Sequence, residues 1–174
     1  CDCDRPQEGE FLAELLEPDI VLWLNSYGTH GLNFDSLVER GKFKSAKEAI
    51  AYEYGWLAAE AHEMVLAKGD SAWIGAQLAR VGRGVKTITF AEKDYLEDYE
   101  ISSAGTTFYF KGAKIKVAAL LPRAAWLSIV MIRKLMEVVG GKFDPSFANY
   151  VGAPGRMNIF KGIKGIKLID STYN

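Results

Sequence analysis

The segment Asp19 to Asn25, DIVLWLN, constrains the fold more than any other stretch of the chain. Its apolar residues are continuous rather than alternating, which is how a strand reads when both of its faces are covered. A strand of that kind belongs in a parallel sheet. The loop after it, Ser26 to Phe34 (SYGTHGLNF), is rich in small and polar residues. A loop leaving the carboxyl end of a buried parallel strand is where α/β proteins place their chemistry.

The helices that would flank such a sheet are also legible. Ser45 to Lys68 reads as one long helix. Ser45 and Glu48 form a capping box at its start, and Lys68-Gly69 makes a fitting stop. Ile50, Tyr54, Leu57, Ala61 and Met64 recur at helical spacing and define its buried face. Glu8 to Leu16 reads as a short amphipathic helix. Pro122 to Val139 reads as a second long, well-buried one, ended by Gly140-Gly141. Ser71 to Ile74 and Val85 to Phe90 read as the next strands, joined by a short helical link at Gln77 to Val81. From Tyr99 to Leu120 three short, partly alternating runs are separated by glycine turns, which predicts an antiparallel subsheet. Asp144 to Tyr150 reads as a helical turn before a closing hairpin of Met157 to Phe160 and Ile163 to Ile169. The expected fold is therefore α/β, a mainly parallel sheet flanked by helices with a small antiparallel β subsheet.

At 174 residues the chain fits a single domain over 1–174 with a sizeable core. No repeat or low-complexity tract interrupts it. The formal net charge of -1 supplies no basic field for nucleic acid or an anionic membrane surface. The apolar run Ala124 to Ile132 is too short to span a bilayer, so no membrane insertion is expected. Cys1 and Cys3 are too close in sequence to staple a fold, and no Cys/His set completes a zinc site. A polar, acidic start and incidental thiols make the cytoplasm the expected location. The chain lacks an initiator Met and stops soon after Asp170, which reads as a piece of a longer protein.

Few residues stand out as carriers of chemistry. His30 lies in the loop after the first strand, with Asn25, Ser26 and Thr29 nearby as oxygen donors. That set suits a metal or a phosphate, and equally a loop histidine with a local hydrogen bond. His62 reads as structural. At the other end of the chain, GAPGRMNIFKGIKGIKLIDSTYN carries Arg156 on a glycine-rich turn and Asp170 at a strand end. An arginine can meet a phosphate, and a carboxylate can accept two hydrogen bonds from a sugar diol, so the two together suit a nucleotide. Each alone also reads as an ordinary turn residue. Gly82 to Thr87 lacks the G-x-x-x-x-G-K-[ST] spacing and runs into a strand, so it reads as a β-turn rather than a phosphate loop. No nucleophile elbow, metalloprotease helix or Cys/His pair appears, and no catalytic residue is assigned.

The closing segment resembles the end of the central domain of the Mur ligases. It is most similar to the branch that adds D-alanyl-D-alanine to the UDP-N-acetylmuramoyl tripeptide, whose pattern there is G-R, a short strand, a glycine turn and I-D-D-[ST]-Y-N. Here the chain reads IDSTYN. The opening, CDCDRPQEGEFLAELLEPDIVLWLN, and the loop SYGTHGLNFDS are similar to family segments as well, so the resemblance spans nearly the whole chain. It implies an ATP-dependent amide-bond former. A carboxylate attacks the γ-phosphate of ATP, magnesium ions neutralise the shared charge, and an amino acid or dipeptide displaces the acyl phosphate on a UDP-linked muramoyl peptide. Carried over, His30 matches a metal-site histidine, Arg156 an arginine near the phosphates, Asp170 the ribose aspartate and Asn25 the strand-end asparagine.

The chain also departs from that pattern. The family's phosphate-binding loop is not in it, and no glutamate stands around Cys1. Tyr54 aligns with the carbamylated metal-site lysine, with Lys47 the other candidate. Leu121-Pro122-Arg123 replaces the His-Asn ahead of the second long helix, and Ser171 replaces the second aspartate. Three readings follow. The first is a central-domain fragment of a ligase, inactive by itself. The second is a Mur-like binding or scaffold module without catalysis, and the third is an unrelated α/β protein with a chance IDSTYN.

Overall fold

The computed structural model describes residues 3–26 and 31–172, and the chain divides into two units, Cys1–Ala91 and Glu92–Asn174. The first unit holds a parallel sheet ordered β1 (Ile20–Trp23), β2 (Met64–Lys68), β3 (Lys86–Phe90). Helix α1 (Glu8–Leu16) precedes β1. A 3-10 turn at Gly31–Phe34, α2 (Asp35–Glu39) and α3 (Ala46–Ala59) connect β1 to β2, and α4 (Ala72–Leu78) connects β2 to β3. The central strand buries Met64, Val65, Leu66 and Ala67 in succession, the mark of a strand covered on both faces. In β1 only Trp23 is buried; Ile20, Val21 and Leu22 are half-buried, because among the described strands β1 lies at the sheet's edge.

Trp23, Val65 and Ala67 pack with Ala58, Ala61 and Ile74, which places α3 and α4 on one face of the sheet. Phe34, Ala49 and Ile50 form a second cluster beneath the turn that follows β1. Gly9 lies so close to α3 that a Cβ there would stand 2.0 Å from the Glu53 carbonyl oxygen. Its amide donates to the buried Glu53 carboxylate at 3.2 Å, which satisfies an N–H that α1 cannot bond internally. Just after α4, the Arg80 guanidinium lies over the Tyr52 (4.2 Å) and Trp56 (4.5 Å) rings of α3 and donates to the Tyr52 carbonyl at 2.8 Å.

Two expectations for this unit fail. The long helix over Ser45 to Lys68 is two elements: α3 ends at Ala59, and Met64 begins β2. His62, Glu63 and Met64 donate their amides to Pro18 and Asp19 ahead of β1, and those distant partners pull the chain out of the helix. His62 is thus outside any helix, exposed, with Nδ1 3.6 Å from Asp19 Oδ1. Ser71 to Ile74 is not a strand. Ser71 caps α4, its Oγ accepting from the Ile74 amide at 3.4 Å. Gly82 to Val85 does turn, with the Val85 amide on the Gly82 carbonyl at 3.0 Å before β3.

The second unit opens with the short α5 (Glu92–Tyr95) and an antiparallel meander of β4 (Leu96–Ser102), β5 (Gly105–Phe110) and β6 (Ala113–Val117), as expected. Gly105, at φ 121°, has its Cβ position 2.1 Å from the Val117 carbonyl oxygen, so no side chain fits there. The buried Thr106 Oγ1 donates to Ala119 O and accepts from the Leu121 amide, both at 2.8 Å, while the Tyr99 hydroxyl donates to Leu121 O at 2.6 Å. Helix α6 (Ala125–Val138) follows, burying Trp126, Leu127, Ile129 and Met131. Asp144 to Tyr150 forms two short turns instead of a helical turn, with Asp144 accepting from the Ser146 amide. The chain closes on β7 (Asn158–Lys161) and β8 (Lys167–Asp170), a two-stranded antiparallel ribbon joined through a 3-10 turn at Ile163–Gly165.

Candidate functional site

Each unit carries one of the sequence-predicted groups. In the first, β1 and β2 run parallel with Trp23 opposite Ala67, so the loop after β1 and the end of β2 leave the sheet at the same edge. The Trp23 indole N–H donates to the Asn25 carbonyl at 3.0 Å and fixes where the chain leaves the sheet. Asn25 and Ser26 line a cleft of about 360 Å³ there, together with Lys47 from the first turn of α3 and Lys68, Asp70 and Trp73 from the end of β2 and the start of α4. Thr29 and His30 lie outside the described residues.

Arg156 and Asp170 lie at the same end of the closing ribbon. Asp170 pairs with Asn158 across the ladder, and Arg156 lies two residues before Asn158. The turn is held by the Asn158 carboxamide, whose Oδ1 accepts from the Arg156 amide at 3.1 Å and whose Nδ2 donates to Gly152 O at 3.4 Å. Gly155 at φ 71° and Met157 at φ 56° give the turn its left-handed steps. The Arg156 side chain is exposed. Asp170 is half-buried, and its Oδ1 accepts from the Thr172 amide at 3.1 Å and the Thr172 hydroxyl at 2.7 Å. Among the described residues no hydrogen bond falls on Oδ2. The ribbon is a separate two-stranded antiparallel sheet, the closing hairpin that the sequence predicts.

Two positions that depart from the family pattern are structural in this chain. Tyr54 is half-buried and packs against both core clusters of the first unit. Leu121 is held through its backbone by Thr106 and Tyr99. Among the described residues no group of three or more His, Cys, Asp or Glu side chains converges to hold a metal ion. Lys68 and Trp73 escape the sequence reading because both sit on elements it mistakes: Lys68 as a helix stop and Trp73 within a strand.

No known family model matches the chain, and no curated protein matches its sequence. Among solved structures its fold is similar to the crystal structure of MurF ligase from Thermotoga maritima in complex with ADP, with a TM-score of 0.70 at 20% identity. The match covers 98% of this chain and 39% of the ligase chain. The α/β fold expected from the sequence, a parallel sheet with an antiparallel subsheet, is thus observed, and it is the fold of part of that ligase.

Proposed function

We propose that the chain is part of the central domain of an ATP-dependent Mur-type ligase, a cytoplasmic enzyme that adds an amino acid or D-alanyl-D-alanine to a UDP-linked muramoyl peptide. The likeness over 98% of the chain to a ligase crystallised with ADP carries this reading. The closing ribbon supports it chemically. Arg156, exposed on a turn of fixed shape, meets a nucleotide phosphate, and Asp170, through Oδ2, accepts from a ribose hydroxyl while Thr172 holds Oδ1. ATP supplies the phosphoryl group that activates a carboxylate. Asn25 and Ser26, on the loop after β1, belong to the acceptor substrate, with Thr29 beside them in sequence. The metal role of His30 rests on the resemblance alone.

The test is ADP binding to the 174-residue chain, followed by amide shifts at Asn158 and Thr172. Asp170→Ala should weaken it by about 1–3 kcal/mol, the range for losing a charged acceptor. Wild-type affinity in both Asp170→Ala and Arg156→Ala would remove the ribbon from the nucleotide site. A second reading, a Mur-like module that binds without catalysis, draws on Tyr54, whose ring belongs to the core where the family pattern has a metal-site lysine. That reading is favoured if the full-length protein binds nucleotide and turns none over.

A further inference from the structure

We infer that the free edge of β6 receives an extended peptide segment of a partner protein, one that alternates apolar and acidic residues and adds to the meander beside β6. β6 pairs with β5 on one side, and among the described strands none lies on its other side. Alternate residues of such an edge turn their N–H and C=O outward, the template that β-strand addition uses. A groove of about 490 Å³ runs along it. Ala113, Lys114 and Ile115 all line this groove, although successive side chains of a strand point to opposite faces, so the groove takes in the strand's backbone edge. Its other wall is Met136 of α6 with Phe143 and Pro145, and the Phe147 ring braces Phe143 at 5.9 Å. Arg133 and Glu137 also reach it, but Glu137 is paired with Lys134 at 2.7 Å and with Arg133 at 3.8 Å, so these charges are matched within α6. The lysines of β6 are placed differently. Ile115 and Val117 are buried and Ala113 half-buried, while Lys114 and Lys116 are exposed on the opposite face. The ladder gives neither lysine a carboxylate. Lys114 stands opposite Tyr109 and lies over its ring at 4.7 Å, and Lys116 stands opposite Thr107. An added strand therefore sets apolar side chains toward Met136 and Phe143 and carboxylates beside Lys114 and Lys116, the cross-strand arrangement that opposite charges stabilise.

This inference is independent of the nucleotide role of Arg156 and Asp170, and its test contains no nucleotide. Lysines on an edge strand also serve to keep other strands away, and the experiment separates the two roles. The probe is the peptide acetyl-Glu-Val-Glu-Val-Glu-Val-amide, titrated at constant ionic strength into the intact 174-residue chain with the backbone amides followed by NMR. Saturable shifts should appear at Lys114 to Val117 and at Phe143. The counterpart with lysine in place of glutamate, and the block sequence Glu-Glu-Glu-Val-Val-Val, should each bind about fivefold more weakly. Of two versions N-methylated at the glutamates or at the valines, one should fail and the other bind, because a strand presents one edge at a time. Lys114→Glu/Lys116→Glu, a change confined to exposed side chains, should reverse the preference toward the lysine peptide, and Lys42→Gln in the first unit should change nothing. The inference is overturned if the glutamate peptide does not saturate, if its lysine counterpart binds as well, if both N-methylated versions bind like the parent peptide, or if the double variant keeps the original preference.

Discussion

At the residue scale, Gly9 shows how a single position sets the approach of two helices. In an unconstrained helix, Gly→Ala stabilises by about 1 kcal/mol, because glycine gives up more backbone freedom on folding. Here the added methyl would stand 2.0 Å from a backbone oxygen of α3, which cannot swing aside as a side-chain tip can. Gly9→Ala should therefore reverse the usual sign and destabilise by about 1–3 kcal/mol, read as a lower urea midpoint. A raised midpoint would mean that α1 does not sit on Glu53. Glu137 gives a second prediction at this scale. The Lys134 ammonium, donating to it at 2.7 Å, holds its carboxyl below the ordinary glutamate range, with Arg133 a smaller contributor. A depressed carboxyl stabilises the fold above its unfolded pKa, and that contribution fades as pH falls through the folded value. The group is exposed, so the effect is small, but Lys134→Ala should raise the Glu137 titration midpoint in a carboxyl NMR titration. An unmoved midpoint would show that the pair does not form in solution.

At the scale of elements, the segment just after α4 is tied to α3 by Arg80, whose guanidinium lies over the Tyr52 and Trp56 rings. A Cβ on Gly55 would stand 2.8 Å from Arg80 Nη1, so that glycine makes room for the clamp. Cation–π contact with two rings together with the bond to Tyr52 O makes Arg80→Ala cost about 1–3 kcal/mol in thermal unfolding. Arg80→Lys should recover little of it, since an ammonium lacks the delocalised planar face that a guanidinium offers to an aromatic ring. Full recovery with lysine would reduce the clamp to a simple charge. This junction also shows where sequence reading stops. The capping box at Ser45, the meander of β4 to β6 and the closing ribbon carry local signals and are visible in the residues alone. The end of α3 is not: Ala58 to Ala67 contains no glycine or proline, and a short apolar run such as Met64 to Ala67 fits helix and strand equally. What decides it is the set of amides bonding back to Pro18 and Asp19, more than forty positions away for each pair. Once β2 and α4 are misread, Lys68 and Trp73 vanish from the candidate cleft, while Asn25 and Ser26 survive because β1 itself is legible.

For the whole molecule, likeness of fold and capacity for chemistry are separate questions. The chain shares its fold with part of a ligase that was crystallised with ADP. Phosphoryl transfer, however, depends almost wholly on positioning and on charge neutralisation around the transferred group. The elements that do this in nucleotide-hydrolysing folds are a glycine-rich loop of backbone amides with its lysine and a metal held by oxygen ligands. The sequence contains no G-x-x-x-x-G-K-[ST] run, its glycine-rich Gly82 to Val85 is a turn into β3, and the described carboxylates do not gather in threes. An arginine and an aspartate on an antiparallel ribbon can retain a nucleotide but cannot by themselves lower the barrier to its cleavage. The 174-residue chain supplied with ATP and magnesium should therefore release no phosphate above the rate without protein. Phosphate release by pure chain that disappears in Asp170→Ala would show that a second phosphate cradle exists, built from residues other than those a phosphate loop requires.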